Sequence, residues 1–164
     1  MTGITCRLTP GDNDRIYRAQ EKHLVDFKLE LVLVPVTDVD RAKAFYTDKA
    51  GFTVDVDHQA GDDFRVVQLT PPGSACSISV GKGITTAEPG SAQGLHLVVS
   101  DIEAARSDLV ERGVQVSEIW HMEATGRTPG PDPERRDYGS FADFNDPDGN
   151  LWLLQEVRRG GPAT

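Results

Sequence analysis

Residues 31–54, LVLVPVTDVDRAKAFYTDKAGFTV, and residues 95–116, LHLVVSDIEAARSDLVERGVQV, repeat one order of signals. Each has an apolar run, a Thr-Asp or Ser-Asp pair, a stretch with helical spacing, a glycine and a second strand-like run. Asp38 and Asp101 are the N-caps this order predicts, because a short acidic side chain satisfies free amide groups of the first helical turn. Gly51 and Gly113 stand where helices end. Val39, Ala42, Phe45 and Tyr46 in the first copy, and Ile102, Ala105, Leu109 and Val110 in the second, recur at helical spacing.

Working outward, FTVDVDH (52–58), FRVVQLT (64–70) and ACSISVG (75–81) read as strands, separated by AGDD (60–63) and PPGS (71–74). In the second copy VQVSEIW, FADFN and NLWLLQEV are the corresponding strands, the last two joined by Asp146-Pro147-Asp148-Gly149. The expected fold is α+β, with two tandem βαβββ modules forming a cup-shaped, curved mixed sheet with helices outside. The organisation is a 1–27 N-terminal extension, a first module over 28–81, a linker over 82–93, a second module over 94–157 and a disordered tail over 158–164. The extension holds a candidate amphipathic helix, DNDRIYRAQEKHLVDF. Residues 121–139, with many turn formers and no periodicity, read as one long loop that covers a cavity.

The composition narrows function. With 17 Lys and Arg against 26 Asp and Glu, the chain of 164 residues carries a formal charge of −9. That balance argues against nucleic acid, whose binding rests on clustered cationic side chains. No apolar stretch is long enough to span a membrane and no secretory leader is evident at the start, so a cytoplasmic protein is expected. Cys6 and Cys76 make neither a disulfide framework nor a metal motif.

TDVDRAKAFY…GF, SDIEAARSDLVERGV and above all SFADFNDPDGNLWLLQE resemble the glyoxalase, bleomycin-resistance and extradiol-dioxygenase superfamily, the vicinal oxygen chelate proteins, over residues 28–157. Members that use a metal place one ligand on the first and last strands of each copy. Counting seven residues back from each helix cap, and four forward from each turn glycine, the resemblance assigns those positions to Leu31, Ser77, Gly94 and Leu153. These offer one weak hydroxyl, whereas divalent metals take imidazole, thiolate or carboxylate. No metal and no other cofactor is therefore expected. The alternative is a divalent metal at a displaced site, since His96 and Gln155 lie two residues beyond the assigned positions on the same strand face.

Strand parity places Leu31, Leu33, Ser77, Ser79, His96, Val98, Leu153 and Gln155 on the inner wall, to which Gln68 and Phe141 are added as ligand-binding candidates. The resemblance then implies a protein that binds a small organic molecule in an apolar cup, as antibiotic-sequestering members do. The alternative is a lyase, isomerase or dioxygenase with His96 as acid/base or as a metal ligand. A homodimer is the expected assembly, and the cup forms either within a chain or by exchange of halves. Phe64, Trp120, Tyr138, Phe141 and Phe144 are candidates for the mouth of the cup. His23, His58 and His121 are expected at the surface. Asp55, Asp57, Asp62 and Asp63 would favour a cationic ligand, and Arg127, Arg135 and Arg136 an anionic one.

Overall fold

The computed structural model describes residues 25–158. Residues 12–24 of the candidate helix in the extension, and residues 159–164 of the tail, lie outside these residues. Residues 25–30 have no regular secondary structure.

The first module runs β1 (Leu31–Leu33), α1 (Val39–Ala44, continued by a wider π-helical turn over Phe45–Lys49), β2 (Thr53–Ala60), β3 (Phe64–Thr70) and β4 (Ser77–Lys82). The second runs β5 (Leu95–Val99), α2 (Ile102–Glu111), β6 (Trp120–Glu123), β7 (Gly126–Pro129), β8 (Ser140–Asn145) and β9 (Leu151–Glu156). Their sheets have the orders β1-β4-β3-β2 and β5-β9-β8-β6-β7. In each module the first strand pairs in parallel with the last. That parallel pairing demands a crossover, which the capped helix and the strands after it supply.

Both caps form as their spacing predicts. Asp38 accepts from the Arg41 amide and Asp101 from the Ala104 amide, each at 3.0 Å. Gly51 and Gly113 end the helical segments with φ of 75° and 81°, a left-handed backbone that a side chain disfavours.

One core serves both modules. Val34, Val67, Leu69, Ile78 and Val80 from the first sheet join Ala142, Phe144, Trp152 and Leu154 from the second, together with apolar residues of both helices. Tyr46 of α1 stacks on Phe52 with centroids 5.4 Å apart and meets the second sheet's Trp152 edge-on at 5.8 Å. Burial of each such aromatic contributes about 2–3 kcal/mol. Phe144, expected at the mouth, is instead core at 2% exposure, because it alternates with Phe141 and Asp143 along β8.

A polar latch joins the modules at the edge of this core. The turn between β8 and β9 reaches into the connection between β1 and α1. Asp146 Oδ2 accepts from the Tyr46 hydroxyl and from Asn150 Nδ2, both at 2.8 Å, while Asn150 Nδ2 also donates to the Pro35 carbonyl at 2.9 Å. The Trp152 indole N–H completes the chain by donating to the Tyr46 oxygen at 3.1 Å. Burial and the Asp146 carboxylate push the Tyr46 hydroxyl far above its ordinary range, so it stays protonated and keeps donating. Nearby, Asp148 accepts from Thr37 and pairs with Arg41 at 2.9 Å. Burial opposes its ionisation, but those hydrogen bonds outweigh burial and hold its carboxyl below the usual range.

The segment 121–139 departs from the single loop expected. Its first part is the hairpin β6–β7, with Trp120 opposite Pro129 and Met122 opposite Arg127. The rest is anchored by buried Asp132, which accepts from the Arg136 amide and side chain at 2.8–2.9 Å. Arg135 and Tyr138 accommodate the tight path with φ of 52° and 65°. Between α2 and β6, the expected strand VQVSEIW contracts to one bridge, Val116 to Phe144, before Trp120.

Candidate functional site

Each sheet has one face in the shared core and one turned away from it, and the ten ligand-binding candidates all fall on the outer faces. In the first module, register sets Leu31 beside Ser77, and Leu33 and Gln68 beside Ser79. In the second it sets His96 beside Leu153, and both Val98 and Phe141 beside Gln155. Leu31, Leu33 and Val98 are 39%, 41% and 59% exposed, so apolar side chains remain uncovered on both faces. A groove of about 450 Å³ beside β5 takes in only His96 and Val98 of the ten, and is closed by Phe52 and the Pro71–Ser74 turn. A second, of about 560 Å³, lies between residues 35–39 and the linker and takes in none. The chain therefore presents two half-walls.

The first half-wall is polar at its centre. Gln68 Nε2 lies 3.3 Å from Ser77 Oγ, Ser77 Oγ lies 2.6 Å from Thr70 Oγ1, and Thr70 Oγ1 donates to the Asp55 carboxylate. An amide nitrogen only donates and a carboxylate only accepts, so the protons run one way, from Gln68 through Ser77 and Thr70 to Asp55. Ser79 Oγ beside this chain is buried and has no partner among the described residues.

Aromatic and charged groups dominate the second half-wall. Trp120 and Phe141 stack at 4.7 Å and 21°, and the Arg127 guanidinium lies over the Trp120 ring at 3.8 Å. Asp143 Oδ2 fixes Arg127 at 3.1 Å. One strand over, His96 Nδ1 and Gln155 Oε1 lie 3.0 Å apart. Because Oε1 only accepts, Nδ1 carries the proton and the neutral ring presents a lone pair at Nε2.

The metal positions change under this register. Leu31 faces Ser77, but the partner of Leu153 is His96, with Gly94 two residues earlier and outside β5. Counting back from the caps fails because residues 34–37 separate strand from cap in the first module, whereas Ser100 alone does so in the second. Strand pairing sets equivalence across a sheet, whatever the length of the connection. The equivalent set is Leu31, Ser77, His96 and Leu153. One imidazole and one hydroxyl do not fit a divalent cation, and no group of three or more His, Cys, Asp or Glu able to hold one occurs among the described residues.

Other expected groups are otherwise engaged. Arg127, Arg135 and Arg136 are bound to Asp143, Glu103 and Asp132, so none is an open anion receptor. Asp57 lies between Arg65 and Lys43, whose hydrogen bonds hold its carboxyl well below the usual range. His58 is at the surface, edge-on to Phe64 at 6.5 Å. His121 is not: it is 5% exposed, with Nδ1 donating to the Gly130 carbonyl at 2.8 Å. That hydrogen bond, with Glu123 at 3.2 Å from Nε2, raises its pKa above the ordinary imidazole value. The Trp120, Arg127 and Asp143 assembly was not legible as a unit, because Arg127 becomes a cup-facing strand residue only once β6 and β7 pair.

Over residues 28–154 the chain matches the model of the glyoxalase/bleomycin resistance protein/dioxygenase superfamily, and it belongs to that family. It is 33% identical to TnmS3, an antibiotic-binding protein from Streptomyces sp. CB03234, with a TM-score of 0.64 over 82% of this chain and 99% of that one. A glyoxalase/bleomycin resistance protein from the same organism is 34% identical, with a TM-score of 0.60 over 79% of this chain and 100% of that one. The protein YetH of Bacillus subtilis strain 168 is 27% identical over 76% of this chain and 94% of its own.

Proposed function

We propose that this protein binds a small organic molecule, of the kind antibiotics represent, on its outer sheet faces and without a metal. The observation that carries this reading is the set of side chains at the family's metal positions, two leucines, a serine hydroxyl and one imidazole, beside walls that combine exposed apolar and aromatic side chains with hydrogen-bonding groups. The likeness to the antibiotic-binding TnmS3 supports the ligand class. Sequestration alone lowers the free concentration of a toxic compound, and no bond need be broken.

The proposal includes a homodimer. Leu31, Leu33 and Val98 are apolar, solvent-facing and on both half-walls, and a second copy laid across them buries this surface and closes a cup from one half-wall of each chain. Sedimentation analysis is expected to give a dimer, and Leu33→Glu a folded monomer that no longer binds. A wild-type monomer that binds ligand at full strength would overturn the dimeric cup.

Thermal-shift screening against a structurally varied antibiotic panel tests the binding reading, because a ligand of the native state raises the melting temperature. Elemental analysis completes it. Stoichiometric zinc, iron, nickel or manganese that is lost on His96→Ala would sink the metal-free reading. The second reading, a lyase or isomerase, is favoured by one feature: the His96 ring is oriented by Gln155 with its Nε2 lone pair available, as a general base requires.

A further inference from the structure

Resting on that binding reading, we infer that the first half-wall selects a ligand end that carries a protonated primary amine on an aliphatic stem: the ammonium group donates to Ser77 and Ser79, and the stem lies on Leu31 and Leu33.

A bulge in β2 prepares the acceptor. Val54 pairs with Leu69 and Val56 with Gln68, so Asp55 is an extra residue with no partner across the ladder. The extra residue exchanges the faces of the side chains that follow it. Asp57 is thereby carried to the helix side, where Lys43 of α1 and Arg65 hold it, while Asp62 and Asp63 stay in the turn before β3. Of the four acidic residues that would favour a cation, Asp55 is the one joined to the ligand wall, through Thr70.

The Asp55 carboxylate fixes what Ser77 can do. Thr70 gives its only hydroxyl proton to Asp55, so in the 2.6 Å contact between the two hydroxyls Ser77 Oγ donates and Thr70 Oγ1 accepts. With its proton spent, Ser77 Oγ accepts from Gln68 Nε2 at 3.3 Å and keeps one lone pair. Hydrogen bonds that run in one direction polarise one another, and a run that ends on a carboxylate makes its first oxygen a stronger acceptor. Ser77 thus favours a donor and disfavours a carbonyl or carboxylate.

Ser79 gives a second, independent sign. It lies two residues further along β4 on the same face, beside Leu33 on one side and Gln68 on the other. It is 1% exposed, and its Oγ has no partner among the described residues. A buried hydroxyl without a partner is unfavourable, and a ligand donor relieves it. Both serines lie low between longer side chains, so a slender end group fits and a broad one does not. An ammonium group brings three N–H donors, and its alkyl stem meets the part-exposed Leu31 and Leu33.

The test is an NMR titration of the full chain at neutral pH, read at the backbone amides of Ser77 and Ser79. The probes are hexylammonium, hexyltrimethylammonium, which keeps the charge but has no N–H, and hexanoate. Hexylammonium is expected to saturate these shifts, and the other two to bind at least about tenfold more weakly, as lost hydrogen bonds to a charged group imply. Thr70→Val keeps the β-branched shape but frees the Ser77 proton, and is expected to abolish the preference for hexylammonium over hexanoate. Ser79→Ala is expected to weaken hexylammonium and leave hexanoate unchanged. Hexanoate or hexyltrimethylammonium binding as tightly as hexylammonium, or no binding of hexylammonium, would overturn the inference on the wild-type chain alone. So would a preference that survives Thr70→Val. The antibiotic panel separates the two failures, because a shift there with no hexylammonium binding removes this ligand class and leaves small-molecule binding intact.

Discussion

On the first module's outer face, Ser77, Thr70 and Gln68 form a hydroxyl and amide chain that ends on Asp55, whereas the matching face of the second carries Phe141, Trp120, Arg127 and the His96–Gln155 pair. The inner faces do not diverge in this way. Both bury apolar residues in one core, aliphatic from the first sheet and partly aromatic from the second, since any loss of volume or added polarity there destabilises the whole chain. A duplicated scaffold thus keeps its buried faces alike in character and differs where side chains do not have to support it. The modules are equal as structure and unequal as recognition surfaces.

The largest expected effect comes from cutting the connection that lets unlike modules share a core. Asp146→Ala leaves the Tyr46 hydroxyl and Asn150 Nδ2 without their acceptor, and should lower stability by about 3 kcal/mol in urea denaturation. Tyr46→Phe should lose about 2 kcal/mol, because it leaves the Trp152 indole N–H without its acceptor and takes one donor from Asp146. If Asp146→Ala unfolds at the wild-type midpoint, the latch does not couple the modules.

Next in size is Trp120→Ala. Removing the middle layer should cost about 2–3 kcal/mol and speed amide exchange in β6 and β7, while β2 and β3 of the first module keep their protection. Uniform loss of protection in both modules would contradict their independence at the outer faces.

A smaller change is expected from Gln68→Leu, which removes the head of the hydroxyl chain and lets Ser77 face an apolar neighbour. About 1 kcal/mol is expected, read as a lower urea midpoint. An unchanged midpoint would mean that the hydroxyl chain does not support the first half-wall.

The smallest effect is a pH dependence confined to the second module. His121 titrates above its ordinary value of 6.5 in the folded chain, so it binds its proton more tightly there than when unfolded. Its contribution is complete below that ordinary value and is lost as pH rises through the raised one. The stability difference between wild type and His121→Gln should therefore shrink between pH 5.5 and pH 8.5. A difference that grows with pH would place the charge preference the other way.

The strands, caps and helix stops were legible because each rests on a local rule. Asp38 and Asp101 cap, and Gly51 and Gly113 turn left-handed, from requirements that neighbouring residues impose. Alternation likewise put eight of the candidates on one face of their strands, and strand register adds Gln68 and Phe141 to those faces. The hairpin at Trp120 was not legible, because the residues between Glu123 and Thr128 carry no apolar alternation and the pairing is held by Trp120 packing on Phe141. His121 escaped for the same reason: it lies on the opposite side of β6 from Trp120, a fact without meaning until β6 exists.

The sequence by itself determined the duplicated strand and helix order, the acidic surface and the family, since periodicity, caps and composition act over a few residues. Only the tertiary structure decided that His96 is the partner of Leu153, that Arg127 lies on Trp120 instead of awaiting an anion, and that the inner faces share one core while the candidates face outward. Those facts depend on register and on contacts between residues distant in the chain, and strand pairing settles them regardless of how many residues separate a strand from its helix cap.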